Sequence, residues 1–314
     1  MIYGFEDCKF YIDITSCNRE IGNYREEFDR RAREIASDKL MLCLSGGLDS
    51  QLVLHSLKTQ DIPVECSFLR VDGYNETEYK NVKLLEKKYG FKTNVININP
   101  NIQREEIEHI AQQTDVHPNH ALQQLFVKEL PNNYDIVQCM STPWLLLIEK
   151  VHYVYYGWFD PDVSRHRALT AIPNRTGKII MFGDTSELAL SCLTDSLMEQ
   201  FLNSWEYYED NGIIMEKYAD NKCKKIPQVL RYEYYVKPLF IAKYWKNELI
   251  YFPKLTGFEK IDWIENESIV NAYKYYKHRI MIPIRELVDH YGYTDGRIKT
   301  VSYTHLTLPT NREV

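Results

Sequence analysis

Leu40 to Leu44 is an unbroken apolar run, and Ser45, Gly46, Gly47, Leu48, Asp49 and Ser50 follow it without a spacer. An amphipathic stretch, Gln51 to Lys58, comes next. Buried strand, tight glycine turn and helix start, in that order, constrain the fold more than any other part of the chain. Such a joint belongs to an open α/β sheet, whose ligands bind beyond the carboxyl ends of the strands. The two glycines permit positive φ and let the backbone come close to a ligand. Successive N–H groups at a helix start then point into one concavity, which suits a phosphate. Ser45 and Ser50 add hydroxyl donors, and Asp49 adds a carboxylate able to hold Mg2+. The structural alternative is a plain strand-to-helix turn with a polar cap.

The rest of the first half supports that setting. Asn23 to Ala36 carries apolar residues at helical spacing, at Tyr24, Phe28, Ala32, Ile35 and Ala36. Strands are expected at Leu40–Leu44, Val64–Val71, Thr93–Ile98 and Asp135–Met140. Helices are expected at Ser50–Lys58, Glu76–Tyr89 (ended by Gly90), Arg104–Gln113 and Ala121–Leu130. Alternating strands and helices make a doubly wound parallel sheet, an α/β/α sandwich. From Trp144 the rhythm changes. His152–Gly157 and Lys178–Phe182 read as strands around a long loop, Ser186–Trp205 as a helix, and Gln228–Tyr291 as mixed, aromatic-rich and helical in pieces. The expected division is 1–38 as a strand and helix packing on the next domain, 39–143 as the α/β domain that carries the glycine turn, and 144–300 as a mixed, mostly helical region. Residues 301–314 differ in character from the rest and read as a non-native read-through tail.

Composition bounds the partners. The formal net charge of −6 gives no strong nucleic-acid signal and does not favour an anionic membrane surface. No apolar run reaches membrane-spanning length, and no signal peptide is visible. The seven cysteines form no C-x-x-C pair, so they read as reduced thiols of a cytoplasmic protein, with Cys43 and Cys66 inside apolar strands. Neither G-x-x-x-x-G-K-[ST] nor G-x-G-x-x-G occurs, which sets aside Walker-type and dinucleotide-fingerprint sites.

The string SGGLDS after an apolar strand resembles the pyrophosphate loop of the N-type ATP pyrophosphatases, the PP-loop superfamily. With a helix leading into the strand, it most resembles the synthetase domain of asparagine synthetase-type enzymes. The likeness is strong over about Tyr24 to Pro100. It implies an adenine nucleotide alpha hydrolase-like fold and an ATP-dependent, AMP-forming ligase using Mg2+. The loop, Ser45 through Ser50, would wrap the β- and γ-phosphates, with Ser45, Asp49 and Ser50 in catalytic roles and Asp49 on the metal. The edge at Leu69, Asp72 and Glu76 would receive adenine and ribose. Where that family has a second motif with a glycine and acidic residues, this chain reads Gln138 to Trp144 with neither, leaving Ser141 and Thr142 as phosphate donors. Ile2 stands where glutamine-using members place a cysteine nucleophile. Nitrogen would then come from free ammonia, an amine on the substrate, or a separate ammonia-supplying subunit. The acceptor would be a small molecule or a modified base. The alternative is a nucleotide-binding module without turnover.

Other groups have blander readings. Arg165, His166, Arg167, Arg175 and Lys178 read as a solvated basic loop. His117 and His120 lack a third ligand and read as a loop too. Asp184 and Glu187 read as helix-cap residues. Asp72, Glu76, Asp184 and Glu187 are the carboxylates to test for facing the loop.

Overall fold

The computed structural model describes residues 3–5, 10–12, 17, 19–71, 73–139, 144–148, 151–157, 161–198, 215–217, 228–230, 239–250, 261, 279–284 and 287. A short antiparallel pair, β1 (Tyr3–Phe5) and β2 (Phe10–Ile12), precedes helix α1 (Tyr24–Glu34). A capping box starts α1: Asn23 Oδ1 accepts from the N–H of Glu26, and the Glu26 carboxylate accepts from the N–H of Asn23. Tyr24, Phe28 and Ala32, four residues apart, face the core. The buried Glu27 carboxylate accepts from the Arg19 guanidinium at 2.9 and 2.6 Å and from the Gly22 N–H at 2.6 Å.

The central sheet alternates with helices. Strand β3 (Leu40–Cys43) leads to α2 (Leu48–Thr59), β4 (Glu65–Arg70) to α3 (Glu76–Tyr89), and β5 (Thr93–Asn97) to α4 (Arg104–Thr114) and α5 (Pro118–Lys128). Then come β6 (Asp135–Gln138), β7 (Trp144–Ile148), β8 (Val151–Gly157), α6 (Pro161–Thr170), β9 (Ile179–Met181) and α7 (Ser186–Leu193). Strands β5-β4-β3-β6-β9, in that order, form one sheet, and every pairing in it is parallel. The fold is α/β, as the strand-helix alternation requires.

Successive strand residues point to opposite faces, and the core divides accordingly. Leu42 and Val137 pack with α1, α2, α3 and α7, while Met41 and Ile136 pack with α4, α5 and α6. The chain runs from β3 outward to β5, then returns across the second face to β6. The direction of strand order therefore reverses between β3 and β6. In open α/β sheets, that point opens a crevice at the carboxyl ends of the strands.

The fifth parallel strand, β9, comes from beyond Pro143, so residues on both sides of that position build the sheet. A second, antiparallel sheet has the order β10-β11-β7-β8-β12, with β10 (Met215–Lys217), β11 (Gln228–Leu230) and β12 (Arg279–Pro283). The described residues after 143 thus mix strands with helices such as α6 and α7. Alternation is weak in short strands such as QVL and MEK, which hides them in the sequence. Residues 301–314 lie outside the described residues.

Candidate functional site

Leu44 ends β3 by donating its N–H to Ser67 O at 2.8 Å, and the chain then turns sharply. Gly46 has φ +74°, a conformation open to glycine and strained for other residues. A Cβ there would lie 2.5 Å from the backbone carbonyl oxygen of Glu78. Gly46 is therefore required twice, once for the turn and once because α3 presses on it. Asn81 on α3 adds a long hydrogen bond of 3.4 Å to Gly46 O. Gly47 differs. It is the N-cap of α2 at φ −90° and ψ 173°, and a Cβ there would meet only Ser45 Oγ, at 3.5 Å. No side chain caps this helix start.

The loop serines hold the turn together. Ser50, fully buried, donates its hydroxyl to Gly47 O at 3.0 Å and accepts the Ser45 N–H at 3.2 Å. Its oxygen lies 3.1 Å from Ser45 Oγ, which accepts the Gly47 N–H at 3.3 Å. Ser45 itself is exposed. Leu48 and Asp49 open the first turn of α2 and are half-buried. Ser45 through Ser50 are thus one connected structure at the carboxyl end of β3.

At the end of β4, Leu69 is buried in the core, and its carbonyl accepts from Asn75 Nδ2 at 2.7 Å. Asn75 Oδ1 accepts the Val71 N–H at 2.9 Å. Asn75 stands at the N-cap position of α3, yet its side chain brackets the strand end instead of capping the helix. Sequence reasoning passed over it; an asparagine just before an acidic helix start was the available signal. Glu76 pairs with Arg70 at 3.0 Å, and the Arg70 guanidinium lies 4.8 Å from the Tyr79 ring centroid. Asp72, Ser141 and Thr142 lie outside the described residues.

Two groups read as loops are helical. His117 is the N-cap of α5: its Nδ1 accepts the Asn119 N–H at 3.2 Å, and Pro118 takes the first helical position. Proline there was the readable signal. His120 is buried, and burial drives its imidazole well below the ordinary value, with the charge of Arg165 acting in the same direction. The basic stretch at 165–167 lies on α6, not in a solvated loop. Arg167 is buried and donates to Asp115 O at 2.5 Å. Arg165 and His166 are half-buried, and burial takes His166 down to about 4. Gln138, the last residue of β6, has its amide nitrogen 3.5 Å from His166 Nδ1. Arg175 instead donates to Pro131 O and Tyr134 O, next to the start of β6.

Asp184 binds Arg31 of α1 at 2.6 Å, and burial raises its carboxyl against the pull of that guanidinium. It ties α1 to the end of β9. Glu187 opens α7. Burial pushes the Cys43 and Cys66 thiols up to about 12, as core thiols require. Among the described residues, no group of three His, Cys, Asp or Glu side chains could hold a metal, and no helix is long and apolar enough to cross a membrane.

No family model matches the chain, and no curated protein matches it. Among solved structures, the NMN synthetase from Francisella tularensis aligns over 38% of this chain and 53% of its own, at 14% identity and a TM-score of 0.30. This chain thus spans about half the length of that structure. So low a score carries no part of the assignment, which rests on the loop and the sheet.

Proposed function

We propose that the chain is an ATP-dependent, AMP-forming ligase of the PP-loop type. The β- and γ-phosphates of ATP occupy the Ser45–Ser50 loop at the switch point between β3 and β6. The observation that carries this reading is the pair of glycines. Gly46 is locked in the left-handed region against α3, and Gly47 has room at its Cβ position at a helix start that no side chain caps. Such a helix start offers its N–H groups to an anion. Asp49 would hold Mg2+ when the metal is bound, and the metal would neutralise charge on the phosphates. Leu69 and Glu76 border the adenine and ribose end, and the resemblance assigns Asp72 to that end and Ser141 and Thr142 to the phosphates.

In this reading an oxygen of an acceptor carboxylate or carbonyl attacks the α-phosphorus. The bond to the bridging oxygen breaks, and pyrophosphate leaves with its electron pair. A nitrogen or sulfur nucleophile then displaces AMP. Such chemistry depends on positioning and charge neutralisation. The asparagine synthetase-like type is the specific form favoured by the SGGLDS string. Ammonia, an amine on the substrate or a separate subunit supplies the nitrogen.

ATP–pyrophosphate exchange against a panel of acids and amines is the test. Asp49→Ala is expected to abolish exchange, and unchanged exchange in that variant would sink the proposal. ATP binding by calorimetry with no exchange over the whole panel would favour a nucleotide-binding module without turnover.

A further inference from the structure

Glu248 lies 193 positions after His55 in the chain, yet it meets three helices at one point. Its carboxylate takes two hydrogen bonds from Arg25 of α1, at 2.6 and 2.8 Å, and faces Nε2 of His55 on α2 at 3.1 Å. Its backbone oxygen accepts from Lys88 Nζ near the end of α3. The other ring nitrogen of His55, Nδ1, lies 3.0 Å from the hydroxyl of Tyr89, the last residue of α3. A carboxylate only accepts, so Nε2 carries the imidazole hydrogen and Nδ1 accepts from Tyr89. Burial holds this imidazole below its ordinary value, in keeping with the neutral form. Two residues further on, the N–H of Ile250 donates to Oε1 of the buried Gln51, one turn of α2 closer to the loop.

The same helices make the glycine turn. Gly47 is the N-cap of α2, while Gly46 is pressed by the backbone of Glu78 on α3 and accepts from Asn81. An α-helix rises about 1.5 Å per residue, so His55 lies about 10 Å along α2 from Leu48, and Lys88 about 15 Å along α3 from Glu78. Between those ends, Leu52 and Val53 of α2 and Val82 and Leu85 of α3 belong to one apolar core. Apolar contact is non-directional. The directional ties are therefore at the ends, at Gly46 beside the loop and at Glu248 away from it. Two such ties fix the angle between α2 and α3, and that angle sets where the N–H groups of the turn point. Binding groups work only when held within about 0.5 Å of their productive geometry.

We propose that Glu248 is a positioning residue for phosphate binding in the loop. It is remote from the phosphates and acts through His55 on α2 and through Lys88 and Tyr89 on α3. This role rests on the ATP reading of the loop.

Inorganic pyrophosphate is the probe, titrated by calorimetry into the full chain well below the unfolding midpoint of each variant. Glu248→Ala is expected to bind it about fivefold more weakly than the wild type, the scale of coupling carried through packed elements. Glu248→Gln, which keeps one acceptor oxygen, is expected to fall between. Tyr89→Phe removes the α3 end of the His55 bridge and is expected to weaken binding too, less than multiplicatively when combined with Glu248→Ala. Ile107→Val lowers stability from the core on the other sheet face and is expected to bind as the wild type does. Glu248→Gln and Tyr89→Phe carry the comparison if Glu248→Ala does not fold. Unchanged affinity in the Glu248 and Tyr89 variants, or an equal loss in Ile107→Val, would overturn the proposal and leave the ATP reading standing. A wild-type chain that binds neither pyrophosphate nor ATP removes the ATP reading, and the role of Glu248 with it.

Discussion

The two loop glycines look equivalent in the sequence and differ in what they do. Gly46 combines φ +74° with a Cβ position 2.5 Å from a backbone oxygen, so any side chain forces the loop away from α3. Gly46→Ala is expected to cost about 2 kcal/mol or more, the scale of a strained backbone conformation plus a steric clash. Denaturant melts would show it as a lower midpoint. Gly47 is extended and open, and serine is a good N-cap residue. Gly47→Ser should keep or slightly raise stability, yet weaken nucleotide binding by filling the open side of the loop. Equal loss of stability in both variants would contradict this division. The need for glycine at the turn was legible from the string. Which glycine answers to α3 and which to the ligand was not, because Glu78 lies 32 positions away in the chain.

At the scale of elements, α3 is the part that organises the site. It presses on Gly46, and the asparagine at its start brackets β4 through Leu69 O and Val71 N. Asn75→Ala strips partners from one buried carbonyl and one buried N–H, each worth about 1–3 kcal/mol when left unsatisfied. The expected result is a large drop in the unfolding midpoint, with Asn75→Asp recovering only the acceptor half; a change below about 0.5 kcal/mol would refute the bracket. Most elements of the parallel sheet were readable because their strands are short apolar runs and their helices carry caps. Helix α6 was not readable. Arg167, Ala168 and Leu169 are buried in succession, so no apolar stripe with a 3.6-residue period appears. Helix α6 packs against α5, α4 and β9, and that crowding buries more than one face. The same packing explains why Arg165 and His166 looked solvated in the sequence and are half-buried in the structure.

Over the whole molecule, residues 239–250 clamp onto helices α1 and α2 of the parallel-sheet half. Trp245 and Phe240 pack edge-on against Tyr24 of α1. Glu248 receives a two-point bond from Arg25 at 2.6 and 2.8 Å and touches His55 of α2 at 3.1 Å. The N–H of Ile250 donates to Gln51 Oε1 at 2.6 Å. Burial lowers His55, while Glu248 partly opposes that shift. His120 and His166 are lowered by burial as well. A histidine with a depressed folded value favours the unfolded chain once protons bind. Its contribution is therefore present above the unfolded value of about 6.5 and is lost as pH falls below it. Stability is expected to decline from about pH 7 toward pH 5, before Glu248 titrates, since the Arg25 hydrogen bond holds that carboxyl low. Urea midpoints across this range check it, and His120→Gln should flatten the slope; a flat wild-type profile would contradict it. This clamp was invisible in the sequence because its partners lie about two hundred residues apart.

Between β6 and its neighbour β9 the chain leaves the parallel sheet, contributes β7 and β8 to the other sheet, and returns through α6. The detour begins at the carboxyl end of β6, beside the crevice. Lengthening such a connection is inexpensive, about 0.6 kcal/mol for each doubling of a flexible loop. The register of β6 on β3, and with it the glycine turn, does not depend on what the detour contains. The architecture is thus modular. One side of the crevice stays fixed by strand pairing, while the connection beside it can lengthen or shorten without disturbing that pairing.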